Sequence, residues 1–297
     1  VERRQMPTLK DIQHKIGAVK KTRQITRAMN MVAAARLKGV QGKMESFEPY
    51  AFKFAEVLGN LAGHMEPGIH PLLMPRDEVK NVELLHFTAD RGLCGSFNTN
   101  LISRAEKWIK DLEREGKTCR LTLVGKKGRD HFIKRDLEVL DAHVGAYRTV
   151  DISFVSRMTG GFIDRFVSGR VDEVYAMYTR FVSLSRQEPT LVKLIPIEPP
   201  TAAVAVQGAE IEYIFEPGPE ELLVELLPKH INVQIMNAFL QNETSEHASR
   251  MTAMDNATRN CREMIDSLTL VYNKARQAAI TAELMDIVGG AEALKDG

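Results

Sequence analysis

Two loops that contain glycine are the first candidates for chemistry, because a glycine-rich turn between a strand and a helix can bind phosphate. The segments are DRGLCGSFN at residues 90–98 and GKKGRD at residues 125–130, and each follows an apolar run typical of a strand. Neither contains the GxGxxG or GxxxxGK[ST] spacing of a nucleotide-binding loop. Glycines three residues apart are common in ordinary strand-to-helix turns. We therefore predict no cofactor at either loop.

The cysteines and histidines do not form a recognisable catalytic or metal site. Cys94, Cys119 and Cys261 are far apart, with no CxxC pair, which favours free thiols in a reducing compartment. The eight histidines include no HExxH motif. Glu246 and His247 could act as an acid–base pair, but a polar patch on a helix surface accounts for them more simply. The sequence thus predicts no catalytic residue and no metal site.

The first long apolar-periodic segment, residues 8–48, carries a marked excess of basic residues. It contains nine lysines and arginines against three acidic residues, although the formal net charge of the whole chain is only +1. A solvated helix face is one explanation, and an acidic partner surface is the other. Nucleic acid would fit the charge alone, but no aromatic residues interleave with the basic ones before residue 45 and no nucleic-acid-binding module is recognisable. Nucleic acid is therefore disfavoured, and a solvated face and an acidic protein partner stay open as explanations. The basic residues are Lys10, Lys15, Lys20, Lys21, Arg23, Arg27, Arg36, Lys38 and Lys43.

The apolar pattern predicts two long helices, one near each end of the chain, and the basic residues lie on the first of them. The first has an apolar stripe at three- and four-residue steps, and the pattern allows it to continue past Pro49 to Leu61. The second covers residues 229–288, which include no glycine or proline. Its stripe has coiled-coil spacing and becomes alanine-rich in NKARQAAITAELMDIVGG. The first stripe is Leu9, Ile12, Ile16, Val19, Ile25, Met29, Val32, Val40, Met44 and Phe47. The second is Met251, Met254, Thr258, Cys261, Ile265, Leu268, Tyr272, Ala275, Ala279 and Ala282.

Between the helices, strand-like and helical patterns alternate, which favours a largely parallel sheet. The predicted fold is mixed α+β and α/β: a long antiparallel coiled coil of the N- and C-terminal helices with an inserted Rossmann-like α/β domain. We assign residues 1–65 and 211–297 to the paired helices and residues 78–210 to the globular domain. A hydrophobic content of 44%, and a start without the apolar core of a signal peptide, predict an intracellular globular protein. One hypothesis is that Val1 comes from a non-standard start codon and that Met6 is an alternative start.

Three blocks identify the chain as resembling the gamma subunit of the bacterial F-type ATP synthase. They are LKDIQHKIGAVKKTRQITRAMNMVAAARL, DRGLCGSFN, and SEHASRMTAMDNATRN followed by LTLVYNKARQAAITAELMDIVGGA. They occur in the same order and at matching separations, and EYIFEPGPEELL resembles the family's approach to the last helix. Ser96 stands where many relatives have glycine.

The resemblance implies a rotor shaft that couples proton-driven rotation of the membrane c-ring to ATP synthesis and hydrolysis. One copy per complex is expected, inside a ring of alpha and beta subunits, with the epsilon subunit and the c-ring at its base. The catalytic residues would belong to beta, and the chain would have none. The expected location is the cytoplasmic face of the bacterial inner membrane, as a peripheral subunit. The sequence shows no sign of the cysteine-bearing insert of chloroplast relatives.

The resemblance also assigns contact residues. Met29 would lie near an acidic loop of beta, which the basic residues Lys20, Arg23 and Arg27 would also face. Glu246 and Arg250 would bond to another beta loop and couple rotation to catalysis. A coiled-coil adaptor with a Rossmann-like domain, and a nucleotide-dependent enzyme, are the alternatives. The remaining expected contacts are Arg276, Gln277 and Thr281 with the alpha/beta ring, and Tyr213 and Glu216 with the c-ring and epsilon.

Overall fold

The computed structural model describes residues 8–63, 70–198 and 218–293, and two long helices dominate it. Helix α1 covers Leu9–Gly63 and helix α5 covers Pro219–Ala293. The chain divides into two compact units. The helical-pair unit contains the described residues of 1–32 and 251–297, and the sheet unit contains those of 33–250. Among the described helices, none combines the length and the apolar content needed to cross a bilayer.

Both long helices extend beyond a proline. Helix α1 begins with a reciprocal cap in which the Thr8 amide donates to the Asp11 carboxylate at 3.1 Å and the Asp11 amide donates to the Thr8 hydroxyl at 3.3 Å. It continues through Pro49 to Gly63. Helix α5 begins ten residues before the predicted start at residue 229 and contains Pro228. Its early leucines, Leu223 and Leu227, are fully buried, so packing compensates for the lost main-chain bond.

In the helical-pair unit the two helices are antiparallel. The Thr26 and Thr258 hydroxyls lie 2.8 Å apart, and the Asn30 side-chain Nδ2 donates to the Met251 carbonyl at 2.8 Å. As the residue number rises on α1, its partner's number on α5 therefore falls. Met254 and Ile265 are buried members of the predicted seam.

The predicted seam was wrong at three positions. Ile25 and Val32 are 60% and 56% exposed, whereas Thr26 is buried and Asn30 is half-buried. The polar pair replaces them because each side chain finds a hydrogen-bond partner on the other helix, so its burial costs little. On α5, Ala275 and Ala279 are half-buried, but Ala282 is exposed.

The sheet unit contains a five-stranded sheet in the order β3-β2-β1-β4-β5. Strands β1 to β4 are parallel, which confirms the predicted largely parallel sheet. Strand β5 is antiparallel to β4, which the sequence did not predict. Two short 3-10 helices, Pro71–Leu73 and Ala146–Arg148, flank the central elements. The elements are β1 Asn81–Phe87, α2 Phe97–Arg114, β2 Thr118–Val124, α3 Lys126–Phe132, β3 Val139–His143, α4 Ile152–Val167, β4 Glu173–Phe181 and β5 Gln187–Ile195.

Each face of the sheet has its own hydrophobic core. Helices α2 and α3 supply one, through residues such as Leu101, Ile109 and Phe132. Helix α4 and the first half of α5 supply the other, where Phe87 and Phe239 meet edge to face with ring centres 4.9 Å apart. The sheet is thus covered on both sides, as parallel sheets require. The long helix α5 covers one of these two faces together with α4.

Candidate functional site

An arginine groove lies between α1 and α5 in the helical-pair unit. It has a volume of about 710 Å³. Four of its lining residues are arginines, Arg23 and Arg27 from α1 and Arg259 and Arg262 from α5. The single acidic residue among those that line it, Asp255, accepts a bond from Arg259 at 3.2 Å. The groove therefore carries a net positive charge suited to an acidic partner.

Hydrogen bonds between α1 and α5, made by Thr26, Asn30 and Thr258, determine which residues face this groove. Thr258 donates to the Met254 carbonyl at 2.8 Å, and its own oxygen lies against Thr26. Together with the bond from Asn30 to Met251, these contacts set the register that brings arginines of both helices to one side. The two predicted contacts Arg23 and Arg27 are thus joined by two arginines that sequence reasoning missed. The sequence does show these two arginines, Arg259 and Arg262, three residues apart, a spacing that places both on one face of a helix.

Met29 and Lys20 lie outside the groove lining. Met29 is half-buried on α1, next in sequence to the groove residue Asn30, and Lys20 is exposed.

The end of α5 presents polar and apolar side chains to solvent. Arg276, Gln277 and Thr281 are exposed, and the Thr281 hydroxyl donates to the Gln277 carbonyl at 2.9 Å, inside its own helix. Around them lie large apolar side chains that are 48–73% exposed. A patch of this kind marks a surface that contacts another molecule. Its members are Leu270, Val271, Ile280, Leu284, Met285, Ile287 and Val288.

Glu246 and Arg250 bond to each other in the sheet unit. They lie one turn apart on α5, and their side chains are only 10% and 12% exposed. The Arg250 guanidinium also donates to the Gly92 carbonyl at 3.3 Å, which ties the helix to the DRGLCGSFN loop. The structure brings this predicted pair together through contacts within the chain.

The loop beneath this pair has an unusual backbone. Leu93 has φ of 63°, a left-handed conformation that bulky residues rarely adopt, and its side chain is 63% exposed. Cys94, next to it, is buried, and its Sγ accepts a bond from the Asn98 side-chain Nδ2 at 3.2 Å. Burial raises the pKa of the Cys94 thiol, and the Glu246 carboxylate raises it further. Cys94 is therefore held as a neutral thiol in the loop interior.

The two loops that could have bound phosphate bond to each other instead. Asp90 accepts from the Lys126 amide at 3.0 Å and from the Gly145 amide at 3.1 Å. Thr88 accepts from the Gly128 amide at 2.8 Å. Gly125 is required for this approach, since a Cβ atom there would lie 2.1 Å from the Thr88 carbonyl oxygen. These amides are therefore satisfied by protein oxygens.

Among the described residues, no group of three His, Cys, Asp or Glu side chains is placed to hold a metal ion. Tyr213 and Glu216, the expected contacts of the c-ring and epsilon, lie outside the described residues.

Comparison with known proteins gives the family. The model of the ATP synthase family matches residues 8–294. The ATP synthase gamma chain of Syntrophobacter fumaroxidans is 53% identical over 291 residues, which cover 98% of this chain and all of that one. The gamma chain of Nitratidesulfovibrio vulgaris (strain Hildenborough) is 50% identical over 290 residues, with the same coverage.

Solved structures share the fold at lower identity. A chain of the mitochondrial ATP synthase of Euglena gracilis, in rotational state 3, matches with a TM-score of 0.67 and 18% identity, covering 96% of this chain and 94% of that one. A chain from the central stalk and c-ring structure of Tetrahymena thermophila ATP synthase has a TM-score of 0.57 and 22% identity, covering 78% of this chain and 99% of that one. The full-length match to curated relatives decides the assignment. This chain belongs to the gamma-chain family of ATP synthase.

Proposed function

We propose that this chain is the rotor shaft of a bacterial F-type ATP synthase, and that it couples rotation of a membrane c-ring to ATP synthesis and hydrolysis in beta subunits. The observation that carries the proposal is the match to gamma chains along the whole length of those relatives. The alpha and beta subunits would surround the helical pair. Epsilon and the c-ring would meet the region that includes Tyr213 and Glu216.

The helical-pair unit has the asymmetry that such a shaft needs. A rotating cylinder with a uniform surface would present the same contacts to every subunit of a surrounding ring and could not change them in turn. The arginine groove lies on one side of the paired helices, where Arg23, Arg27, Arg259 and Arg262 converge. An acidic loop of each beta subunit would meet this groove, and Met29 beside it, once per turn. Because the groove attracts a beta loop only when it faces that subunit, the rotation angle of the shaft would determine the nucleotide state of each beta subunit.

The end of α5 suits a bearing. Its exposed side chains are mostly apolar, and the bond of Thr281 stays within the helix. Apolar contacts are not directional, so such a surface turns inside a ring without strong locks. Arg276, Gln277 and Thr281 would be its polar contacts with the ring.

Catalysis would take place in the partner subunits. The alternative of a nucleotide-dependent enzyme needs a free crevice at the carboxyl ends of the parallel strands, where α/β sheets bind ligands. In this chain, side chains of α5 fill that position, as Asn242 and Ser245 bond to main-chain groups of β4. The chain would be peripheral, on the cytoplasmic face of the inner membrane, and held there through its partners.

Purification of the tagged chain from its own cells tests the proposal. We expect alpha, beta and epsilon subunits to co-purify with it, with one copy of this chain per complex, and a surface-held complex to rotate during ATP hydrolysis. Recovery of the chain alone, with measurable affinity for nucleotide, would favour the enzyme. Recovery with a different set of proteins would favour the adaptor.

A further inference from the structure

The sheet contains a position where a strand is missing and a helix takes its place. Strand β1 pairs with β4 as far as His86 and Met177, but β4 continues to Phe181. The strand order reverses at this point, since β2 lies on one side of β1 and β4 on the other. In an open α/β sheet, the carboxyl end of the strands at such a reversal is where ligands usually bind.

Three side chains of α5 bond to the main chain of β4 beyond the end of β1. The Thr179 amide donates to Asn242 Oδ1 at 3.0 Å, and the Phe181 amide donates to Gln241 Oε1 at 2.9 Å. The Ser245 hydroxyl donates to the Thr179 carbonyl at 3.0 Å. If β1 were longer, its main chain would pair with these amides and this carbonyl of β4. Side chains of α5 take the place of those missing main-chain bonds.

The same cluster reaches the end of β1. Asn242 Nδ2 donates to the Tyr147 hydroxyl at 2.6 Å, and that hydroxyl donates to the Thr88 carbonyl at 3.0 Å, directly after β1. Asn242 and Ser245 are completely buried, and Gln241 is 8% exposed. Four hydrogen bonds therefore connect α5 to its surroundings here, and water has little access to compete for them.

Apolar packing alone would not fix this helix against sliding. Phe239, one turn before the cluster, contacts Phe87 and Tyr147 with ring centres 4.9 and 5.6 Å apart. Such contacts hold the helix on the sheet, but they are not directional and yield under shear. Hydrogen bonds depend strongly on distance and angle, so the polar cluster permits one axial and rotational position of α5.

We infer that Gln241, Asn242 and Ser245, together with Tyr147, form a torque joint that passes twist between the sheet and helix α5. The inference rests on the proposed function, in which the sheet unit meets the c-ring and epsilon while the helices meet the alpha/beta ring. Torque then has to cross from the sheet into α5. The joint is where directional bonds oppose rotation of the helix against the strands. Its four residues are positioning residues, since none of them touches nucleotide.

The experiment measures torsional stiffness in the assembled complex. The alpha/beta ring is fixed to a surface, rotation is stalled, and a probe on the sheet unit reports angular fluctuation. The variant Asn242→Ala with Ser245→Ala removes three of the four bonds. We expect the angular variance to rise about two-fold, because variance is inversely proportional to stiffness and directional bonds supply a large share of it. Hydrogen exchange at the Thr179 and Phe181 amides shows whether the joint has opened.

Thr244→Val is the matched control. Thr244 is also completely buried on α5, but its hydroxyl donates to the Leu240 carbonyl at 2.7 Å within the helix. Its loss should leave the angular variance unchanged. If the double variant does not assemble, Tyr147→Phe removes one of the four bonds, that from Asn242, together with the bond from Tyr147 to Thr88, and it keeps the ring that packs on Phe239. A joint variant with faster exchange at Thr179 and an unchanged variance would overturn the inference. Absence of rotation by the wild-type complex would instead contradict the proposed function.

Discussion

Arg250 joins Glu246 to the Gly92 carbonyl, so the two residues expected to grip a beta loop also anchor helix α5 to the strained loop after β1. Both side chains are nearly buried. A beta loop that contacts Glu246 and Arg250 would therefore meet side chains that are already held in place by hydrogen bonds. Rigidity is useful for a coupling point, because a force applied there moves the helix without first deforming a mobile side chain.

Arg250→Ala should lower the turnover of the assembled complex while leaving assembly intact. The change removes a charge-assisted contact and leaves the Glu246 carboxylate without its partner, which should destabilise the chain by about 1–3 kcal/mol. ATP hydrolysis by the purified complex and thermal unfolding of the full chain measure the two effects. The double variant Glu246→Ala/Arg250→Ala separates them, since it should recover stability and not turnover.

Arg259→Ala is a stability control for that prediction. Arg259 bonds to Asp255 across the same four-residue step, at 3.2 Å, but the two side chains are 61% and 67% exposed. Its removal should change the unfolding free energy by less than about 0.5 kcal/mol.

Normal turnover of the Arg250→Ala complex would contradict the assigned coupling role.

Arg262→Glu should slow the association of this chain with alpha and beta subunits, because the proposed contact of the groove is acidic. The substitution reverses one of four positive charges in the arginine groove. Steering by such charges changes association rates by about ten-fold or more at low salt. Lys274→Glu makes the same change of charge on the exposed surface of α5, outside the groove. Rates measured with isolated alpha and beta subunits should converge at about 1 M salt, where the screening length is roughly 3 Å. Equal slowing by both variants would exclude a special role for the groove.

Met29→Lys should impair ATP-driven proton transport more than ATP hydrolysis. The new ammonium group would stand beside the groove and bind the acidic beta loop too strongly to release it on time. Both activities are measured on membrane vesicles that contain the complex. Val32→Lys adds the same group at a 56% exposed position of the same helix and should affect coupling less. Equal loss of transport and hydrolysis in Met29→Lys would argue against a coupling contact.

The sequence predicted the two long helices well because their apolar periodicity persists over many turns. It failed where polar residues take apolar positions. Thr26 and Asn30 occupy the seam in place of Ile25 and Val32, since a hydrogen bond to the opposite helix makes a polar side chain acceptable there. Hydrophobic spacing alone contains no information about such pairs.

The middle of the chain was less predictable for a related reason. Strand β3, with the sequence VLDAH, is short, and its central residues are exposed, so it lacks an apolar pattern. The polar residues Gln241, Asn242 and Ser245 become meaningful only when the end of β4 lies beside them. The division into segments 1–65, 78–210 and 211–297, and the contact roles of single residues, stay predictions.

Arg165→Ala should destabilise the sheet unit by about 3–5 kcal/mol, because the buried Glu83 carboxylate then keeps a bond from the Thr122 hydroxyl at 2.7 Å but has no cation beside it. Glu83 lies within β1 and is completely buried, and it accepts bonds from Arg165 Nε and Nη2, both at 2.8 Å. Urea unfolding followed by fluorescence of the single tryptophan, Trp108, which packs on Tyr175 of the same sheet, measures the change.

Two further variants define the origin of that loss. Arg180→Ala breaks a pair on the same sheet in which Arg180 is 56% exposed, and it should cost less than about 1 kcal/mol. Glu83→Leu/Arg165→Leu removes both charges and should recover most of the stability. A single variant as stable as the wild type would show that Glu83 finds water or another partner.

Histidine burial predicts that stability falls with acidity in a defined range. Burial, the largest cause, lowers the pKa of His86 from 6.5 to about 4, and it does the same for His230. His86 donates from Nε2 to the Leu101 carbonyl at 3.3 Å, and its other ring nitrogen has no partner among the described residues. A folded-state pKa below the unfolded value means that the unfolded chain binds the proton first.

The stabilisation is therefore complete above pH 6.5 and is lost as the pH falls towards about 4. Each of the two histidines should add a slope of up to about 1.4 kcal/mol per pH unit to the unfolding free energy in that window. Urea unfolding followed by Trp108 fluorescence at several pH values above about 5, where most carboxylates stay ionised, measures this slope. His86→Leu should reduce the slope between about pH 5 and 6.5 and leave the stability above pH 6.5 as independent of pH as in the wild type. An unchanged slope in His86→Leu would mean that His86 is protonated in the folded chain, contrary to its dry surroundings beside Phe132.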